Sequence, residues 1–213
     1  MCPKKSKGIL FMYDRIRIKE AAKEKLRNNY GMVLGVTIVS GIILGALAST
    51  GIGTLLVGGP IAVGVAIIML EIIRGQKNEF ADMFKGFNNF GSAFVMYLLT
   101  GIFVFLWSLL FVIPGIVKAL AYSMAPYILA DHPEMSGNEA ITASKNMMQG
   151  HKGELFCLYL SFIGWLLLSA LTFGLLQLFY VGPYMAVAEA EFYEAIKPAE
   201  TYAAPQETAE PQI

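Results

Sequence analysis

Charge is scarce in this chain. Asp, Glu, Lys and Arg make up only 15% of its 213 residues, against 56% hydrophobic, where a soluble domain carries about 25% charge. That deficit excludes an ordinary soluble fold. With a formal net charge of zero, no nucleic-acid partner is expected. Cysteine is nearly absent. Cys2 and Cys157 have no spacing that suits a metal or a disulfide framework. The catalytic signatures H-E-x-x-H, G-x-S-x-G and the Walker loop are also missing. His132 and His151 stand nineteen positions apart without ligand spacing between them. No enzyme activity, metal or cofactor is expected.

Long apolar runs take the place of charge. Three blocks stand out, Gly31 to Ile73, Ser92 to Ala130 and Glu154 to about Ala195, each roughly 40 residues long. A span needs about 20 residues to cross a 30 Å hydrocarbon core, so each block folds as a two-span hairpin. Gly and Pro punctuate the blocks near their middles, at Gly51 and Gly53, at Pro114-Gly115, and at Gly174 with Gly182-Pro183. The fold expected is all-α, a polytopic membrane helical bundle of six spans, at about 31–50, 54–73, 92–111, 115–131, 154–172 and 175–195. The first apolar run follows the charged stretch 14–27 and is too long for a cleaved leader, so the first span is expected to stay in the mature protein.

Basic residues orient the spans. Nine of the sixteen Lys and Arg precede Tyr30, Arg74, Lys77 and Lys85 join the first two blocks, and Lys145 and Lys152 join the last two. Lys197 follows the final span, and only Lys118 departs from the pattern, just past one outer turn. The positive-inside rule then puts both ends and both long loops on the cytoplasmic side of the membrane.

The cytoplasmic pieces have their own patterns. Residues 1–30 are basic, and Arg15 to Asn29 places Ile18, Ala22 and Leu26 on one helical face. Such a helix can lie on an anionic leaflet or simply extend the first span. Ser136 and Glu139 form a capping box that starts a helix, and Gly150 stops it. Its face with Ala140, Ser144, Met147 and Met148 should be covered. The tail 197–213, rich in Pro, Ala and Glu, reads as disordered. Segments 15–29, 79–90 and 137–149 each precede a block, so the chain reads as three copies of an elbow helix plus a hairpin.

Two sets of residues are singled out. Glu71, Lys118, Gln177 and Glu189 are polar groups inside spans, where such groups are functional candidates. Each sits toward an end of its span, and the set is expected not to converge at mid-membrane. Gly31, Gly35, Gly41 and Gly45 fall within about 120° on the first span at 100° per residue. That small-residue stripe admits close helix packing, either within the monomer or with a second copy. Partners expected are the bilayer itself, anionic lipid at the basic amino-terminal helix, and a homo-oligomer.

Particular strings carry a resemblance. Leu106-Trp107-Ser108-Leu109-Leu110-Phe111-Val112-Ile113-Pro114-Gly115, Ala121-Tyr122-Ser123-Met124-Ala125-Pro126-Tyr127 and Gly150-His151-Lys152-Gly153-Glu154-Leu155-Phe156 resemble the bacterial family catalogued as domain of unknown function 975. The likeness runs from about Ile18 to Tyr193. It implies a multi-pass membrane protein with no assigned activity. It supplies no catalytic residues.

Overall fold

The computed structural model describes residues 6–48, 52–110, 112–172 and 174–197, and it contains no strand among them. The elements run α1 (Ser6–Asn28), α2 (Tyr30–Ala48), α3 (Ile52–Ile73), a 3-10 helix (Phe80–Phe87), α4 (Phe90–Leu110), α5 (Val112–Tyr122) and α6 (Ala125–Asp131). They continue with α7 (Gly137–Met147), α8 (Lys152–Leu160), α9 (Ile163–Leu171), a π-turn (Gln177–Val181) and α10 (Gly182–Ile196). The expected disordered stretch from residue 198 onward, and the turns at Gly51 and Phe173, lie outside the described residues.

Among the described residues, five segments are long and apolar enough to cross a membrane: Tyr30–Ala48, Gly53–Ile73, Phe90–Leu109, Val112–Asp131 and Lys152–Leu171. The stretch expected as a sixth is not among them. It is divided between the π-turn and α10, and α10 carries Glu189, Glu191 and Glu194. Two of the five are broken. Pro126 sits in the first turn of α6, a position proline suits because its missing N–H has no intrahelical partner there. At the other break, Ser161 donates from Oγ to the Leu158 carbonyl at 2.6 Å, a local bond that competes with the helical ladder.

In the order expected of hairpins, the helices alternate between an outgoing arm (α2, α4, α8 with α9) and a returning arm (α3, α5 with α6, the π-turn with α10). The arms are not equivalent. Of the most apolar stretch, 67% is buried in Gly53–Ile73 and 50% in Val112–Asp131, but 11% in Tyr30–Ala48 and Phe90–Leu109 and 22% in Lys152–Leu171. The returning arms therefore make the centre and the outgoing arms the periphery. Ile68, Met69, Ile72, Met124, Leu129, Val187, Ala190 and Tyr193 form the buried centre. Phe105, Leu109, Leu167 and Leu171 stay exposed on the outgoing arms, an apolar surface too extensive for water.

The three elbows clamp this centre. The 3-10 helix lies on α3, α7 on α6 and α5 and also against the outgoing arm α4, and α1 on α10. Each elbow thus packs on a returning arm, and α1 closes the ring by packing on the last one. Ala22 and Leu26 of α1 are buried against that contact, and Tyr184 donates from its hydroxyl to the Lys19 carbonyl at 3.0 Å. The apolar face of α1 is therefore occupied by protein. On α7, Ala140, Ser144 and Met148 are buried, and Ser144 donates to the Ala121 carbonyl at 2.9 Å.

Close approach falls on different glycines from those expected. A Cβ on Gly31, Gly41 or Gly45 would meet nothing within 4 Å, and one on Gly35 only Phe80 at 3.8 Å. Within one chain this corrects the packing role read from the stripe. A Cβ on Gly64 would overlap the Met83 carbonyl, and one on Gly86 the Pro60 carbonyl. These two let the 3-10 helix lie against α3, backbone to backbone. Trp165 is 40% exposed and rests on Tyr180, with ring centroids 5.5 Å apart.

Two outcomes follow from this packing. Gly64→Ala forces backbone apart, so it should cost more than about 1 kcal/mol and lower the melting temperature in detergent, whereas Gly41→Ala should melt like wild type. Equal melting of the two would show the Gly64 contact to be dispensable. At α7, Ser136 accepts from the Glu139 N–H while Glu139 accepts from the Ser136 N–H. Ser136→Ala should cost roughly 0.5–2 kcal/mol. The backbone bond from Ser136 holds the Glu139 carboxyl below its ordinary 4.5. Its contribution is therefore complete above that value and lost as pH falls through the lower folded value. Hydrogen exchange over residues 137–147 should quicken, beyond the intrinsic pH dependence, in that acid window for wild type but not for Glu139→Ala.

Candidate functional site

The four polar residues singled out within spans have separate partners. Glu71, near the end of α3, pairs with Lys85 of the 3-10 helix at 3.5 Å, while its Oε2 is buried without a hydrogen-bond partner. Lys85 also bonds Asp82 at 2.8 Å, and this bond lowers the Asp82 pKa and raises that of Lys85. Lys118 of α5 lies over the Trp107 ring, 4.8 Å from its centroid, a cation–π contact. Gln177 opens the π-turn, and its Oε1 is buried and unpartnered.

Glu189 of α10 differs from its expected interfacial setting. Tyr159 of α8 donates to its Oε1 at 2.7 Å, and Tyr127 of α6 reaches its Oε2 at a long 3.5 Å. The carboxyl group is therefore held inside the bundle by phenols. No cation is among its described partners. The structure does not bring Glu71, Lys118, Gln177 and Glu189 onto shared partners.

A larger polar cluster ties the ends of the returning arms, and sequence reasoning missed it. Arg74, just past α3, donates through both terminal nitrogens to Asp131 at the end of α6, each bond 2.8 Å long. Its Nε donates to Glu194 of α10 at 2.7 Å, and its terminal nitrogen also reaches the same oxygen. Lys197 and Tyr193 both donate to Asp131 Oδ2, the tyrosine at 3.0 Å. Asp131 is only 7% exposed at its side chain and Arg74 26%. The bond to Asp131 raises the Arg74 pKa, which is a cation in any case. A bidentate fork of this kind fixes orientation as well as distance.

The two polar groups abut. The Tyr127 and Tyr193 rings stack, centroids 5.6 Å apart. This links the Tyr159–Glu189–Tyr127 set to the Tyr193–Asp131–Arg74 set across α6 and α10. Chemically the arrangement offers carboxylates, phenols and one guanidinium in satisfied pairs. Among the described residues no group of three or more His, Cys, Asp or Glu could hold a metal ion. His132 and His151 instead bond Glu134 and Glu154, at 3.1 Å and 2.7 Å.

The signal for the cluster lay in the sequence. Arg74 and Asp131 end the first and second apolar blocks, and Glu194 and Lys197 end the third. Charges of opposite sign at the same end of three central helices are the pattern to look for. Arg74→Ala leaves Glu194 and Asp131 short of their main cation, and removing one partner of a largely buried pair costs about 3 kcal/mol. Lys85→Ala removes a half-exposed partner, worth less than about 1 kcal/mol. Thermal unfolding in detergent should separate the two variants clearly, and equal losses would show that the cluster does not secure the helix ends.

Comparison with curated proteins and with solved structures finds no match. A family model described as "Protein of unknown function (DUF975)" matches residues 12–121 and 110–200. Those two stretches cover α1's second half through α10, including every elbow and the whole Arg74–Asp131–Glu194 cluster. The chain belongs to this family of proteins of unknown function.

Proposed function

We propose that this chain is a non-catalytic protein of the bacterial cytoplasmic membrane, with six spans in three hairpins and both ends in the cytoplasm, acting through contacts with lipid and with other protein. The observation that carries the reading is the fate of the polar side chains. Arg74, Asp131, Glu194 and Lys197 are committed to one another, Glu71 to Lys85, and Lys118 to Trp107. Paired groups of this sort hold helices rather than turn over substrate. The Lys and Arg distribution gives the orientation. The outward glycines Gly31, Gly41 and Gly45 suit the approach of a second copy.

One observation favours a second reading, a small transporter. Glu189 is an acid inside the bundle with phenols and no cation around it, and such a group is a functional candidate by default. Proteoliposomes loaded with a pH-sensitive dye distinguish the two. The non-catalytic reading expects proton flux equal to that of empty vesicles under either polarity. Flux above that level, lost in Glu189→Gln, would move the assignment to a transporter.

Topology is tested by cysteine labelling after Cys2 and Cys157 are replaced by Ser. A membrane-impermeant maleimide added to intact cells should label Gly51→Cys and Thr172→Cys and should spare Lys85→Cys and Lys145→Cys. Labelling of Lys85→Cys from outside would overturn the orientation.

A further inference from the structure

The charged flank of α1 borders a groove of about 450 Å³ lined by Lys23, Leu26, Arg27, Tyr30 and Tyr180. Its make-up is one-sided. Lys23 and Arg27 are its only charged residues, and neither has an ion-pair partner among the described residues, although Glu20 and Glu24 share their helix. They stand at i and i+4, so they face the same way one turn apart. The floor is apolar. Leu26 is buried, and Tyr30 and Tyr180 present their rings.

The groove is a built feature. Tyr30 is held by a bond from its hydroxyl to the Phe179 carbonyl at 2.7 Å, which pins the start of α2 to the π-turn. Tyr180 is held between Trp165 and Tyr184, with ring centroids 5.5 Å and 6.0 Å away. Beyond Tyr180 the surface remains apolar and exposed, at Trp165, Leu178 and Phe179. Two cations thus stand over an aromatic floor that leads onto bare hydrocarbon-like surface.

We infer that this groove binds the headgroup of an anionic phospholipid, with phosphate at Lys23 and Arg27 and the acyl chains along Tyr180, Leu178 and Phe179. The inference rests on the membrane reading above and gives it a site. Charge complementarity selects an anion, and the fork of Arg27 matches phosphate oxygens while Lys23 adds a point charge. The apolar wall selects a lipid over a soluble phosphate, because two exposed cations alone hold an anion weakly. Basic helices often reach an anionic leaflet by sinking their apolar face into it. Here Ala22 and Leu26 are already covered by α10, so α1 cannot sink that face, and recognition is confined to the groove.

The test titrates the purified full chain, in neutral maltoside micelles, with dioleoyl phosphatidylglycerol and dioleoyl phosphatidylcholine, reading bound lipid by native mass spectrometry. Wild type should bind phosphatidylglycerol at least about tenfold more tightly than phosphatidylcholine. The K23Q/R27Q variant should lose that preference, since each basic group near an anionic surface contributes roughly a fivefold gain. The K145Q/K152Q variant removes the same charge elsewhere and should keep it. The single variants K23Q and R27Q, each weakening binding several-fold, decide the matter if the double variant fails to fold. Equal binding by wild type and the groove variants, or equal weakening by both double variants, would overturn the site. So would glycerol 3-phosphate competing as well as the intact lipid, since the acyl chains would then contribute nothing. Cysteine labelling of the same variants in cells keeps the two readings apart. Normal labelling with no lipid preference sinks the groove alone. A reversed pattern sinks the groove as well, because it places Lys23 and Arg27 on the wrong side of the membrane, and the proposed topology falls with it.

Discussion

Asp131 is the point on which the ends of α3, α6 and α10 converge. One carboxylate accepts from Arg74 beyond α3, from Tyr193 of α10 and from Lys197 beyond α10. The returning arms are apolar along most of their length, and apolar helices in lipid gain nothing from the hydrophobic effect when they pair with one another. Directional bonds at their ends therefore set which three helices meet and at what height. A charge cluster this little exposed adds little net stability over a well-packed apolar substitute. Its contribution is to register.

The elbows solve a second problem. A short polar helix between two hairpins has no hydrocarbon to hold it and too few residues to be stable alone. Each elbow here rests on a returning arm. The 3-10 helix does so through bare backbone at Gly64 and Gly86, α7 through Ser144, and α1 through Ala22 and Tyr184. The same contacts bury Met83 of the 3-10 helix, Ala140 and Ile141 of α7, and Ala22 and Leu26 of α1, and on α1 they leave the charged side outward. That charged side is what the groove beside Lys23 and Arg27 uses.

Much of this was legible in the sequence, and the reasons are physical. Long apolar runs and a capping box are local signals, so the helices and the start of α7 could be read directly. The outward arms could not be told from the central ones, because membrane helices are apolar on every side and hydropathy carries no facing information. The glycine stripe left its partner open for the same reason. Gly31, Gly41 and Gly45 share a face, but spacing does not say what lies opposite. The breaks at Met124 and Ser161 depend on local bonding that a hydropathy run conceals. The Arg74–Asp131–Glu194 cluster joins residues 57 and 120 positions apart, a separation that no local signal spans, and the orientation rule uses Arg74 without its acidic partners.

The closing contact between α1 and α10 has a consequence for how the chain is made. The bond from Tyr184 to Lys19 spans 165 positions, so the partner that covers Ala22 and Leu26 leaves the ribosome long after they do. Until α10 emerges the apolar face of α1 is bare. The 3-10 helix and α7 can dock as they emerge, since they pack on helices already made. Helix α1 must wait for α10. A chain shortened before α10 would keep its spans and yet carry an uncovered basic amphipathic helix, the kind of segment that sinks into membranes or is captured by chaperones. Completion of the ring is thus a built-in mark that α10 has been made and docked.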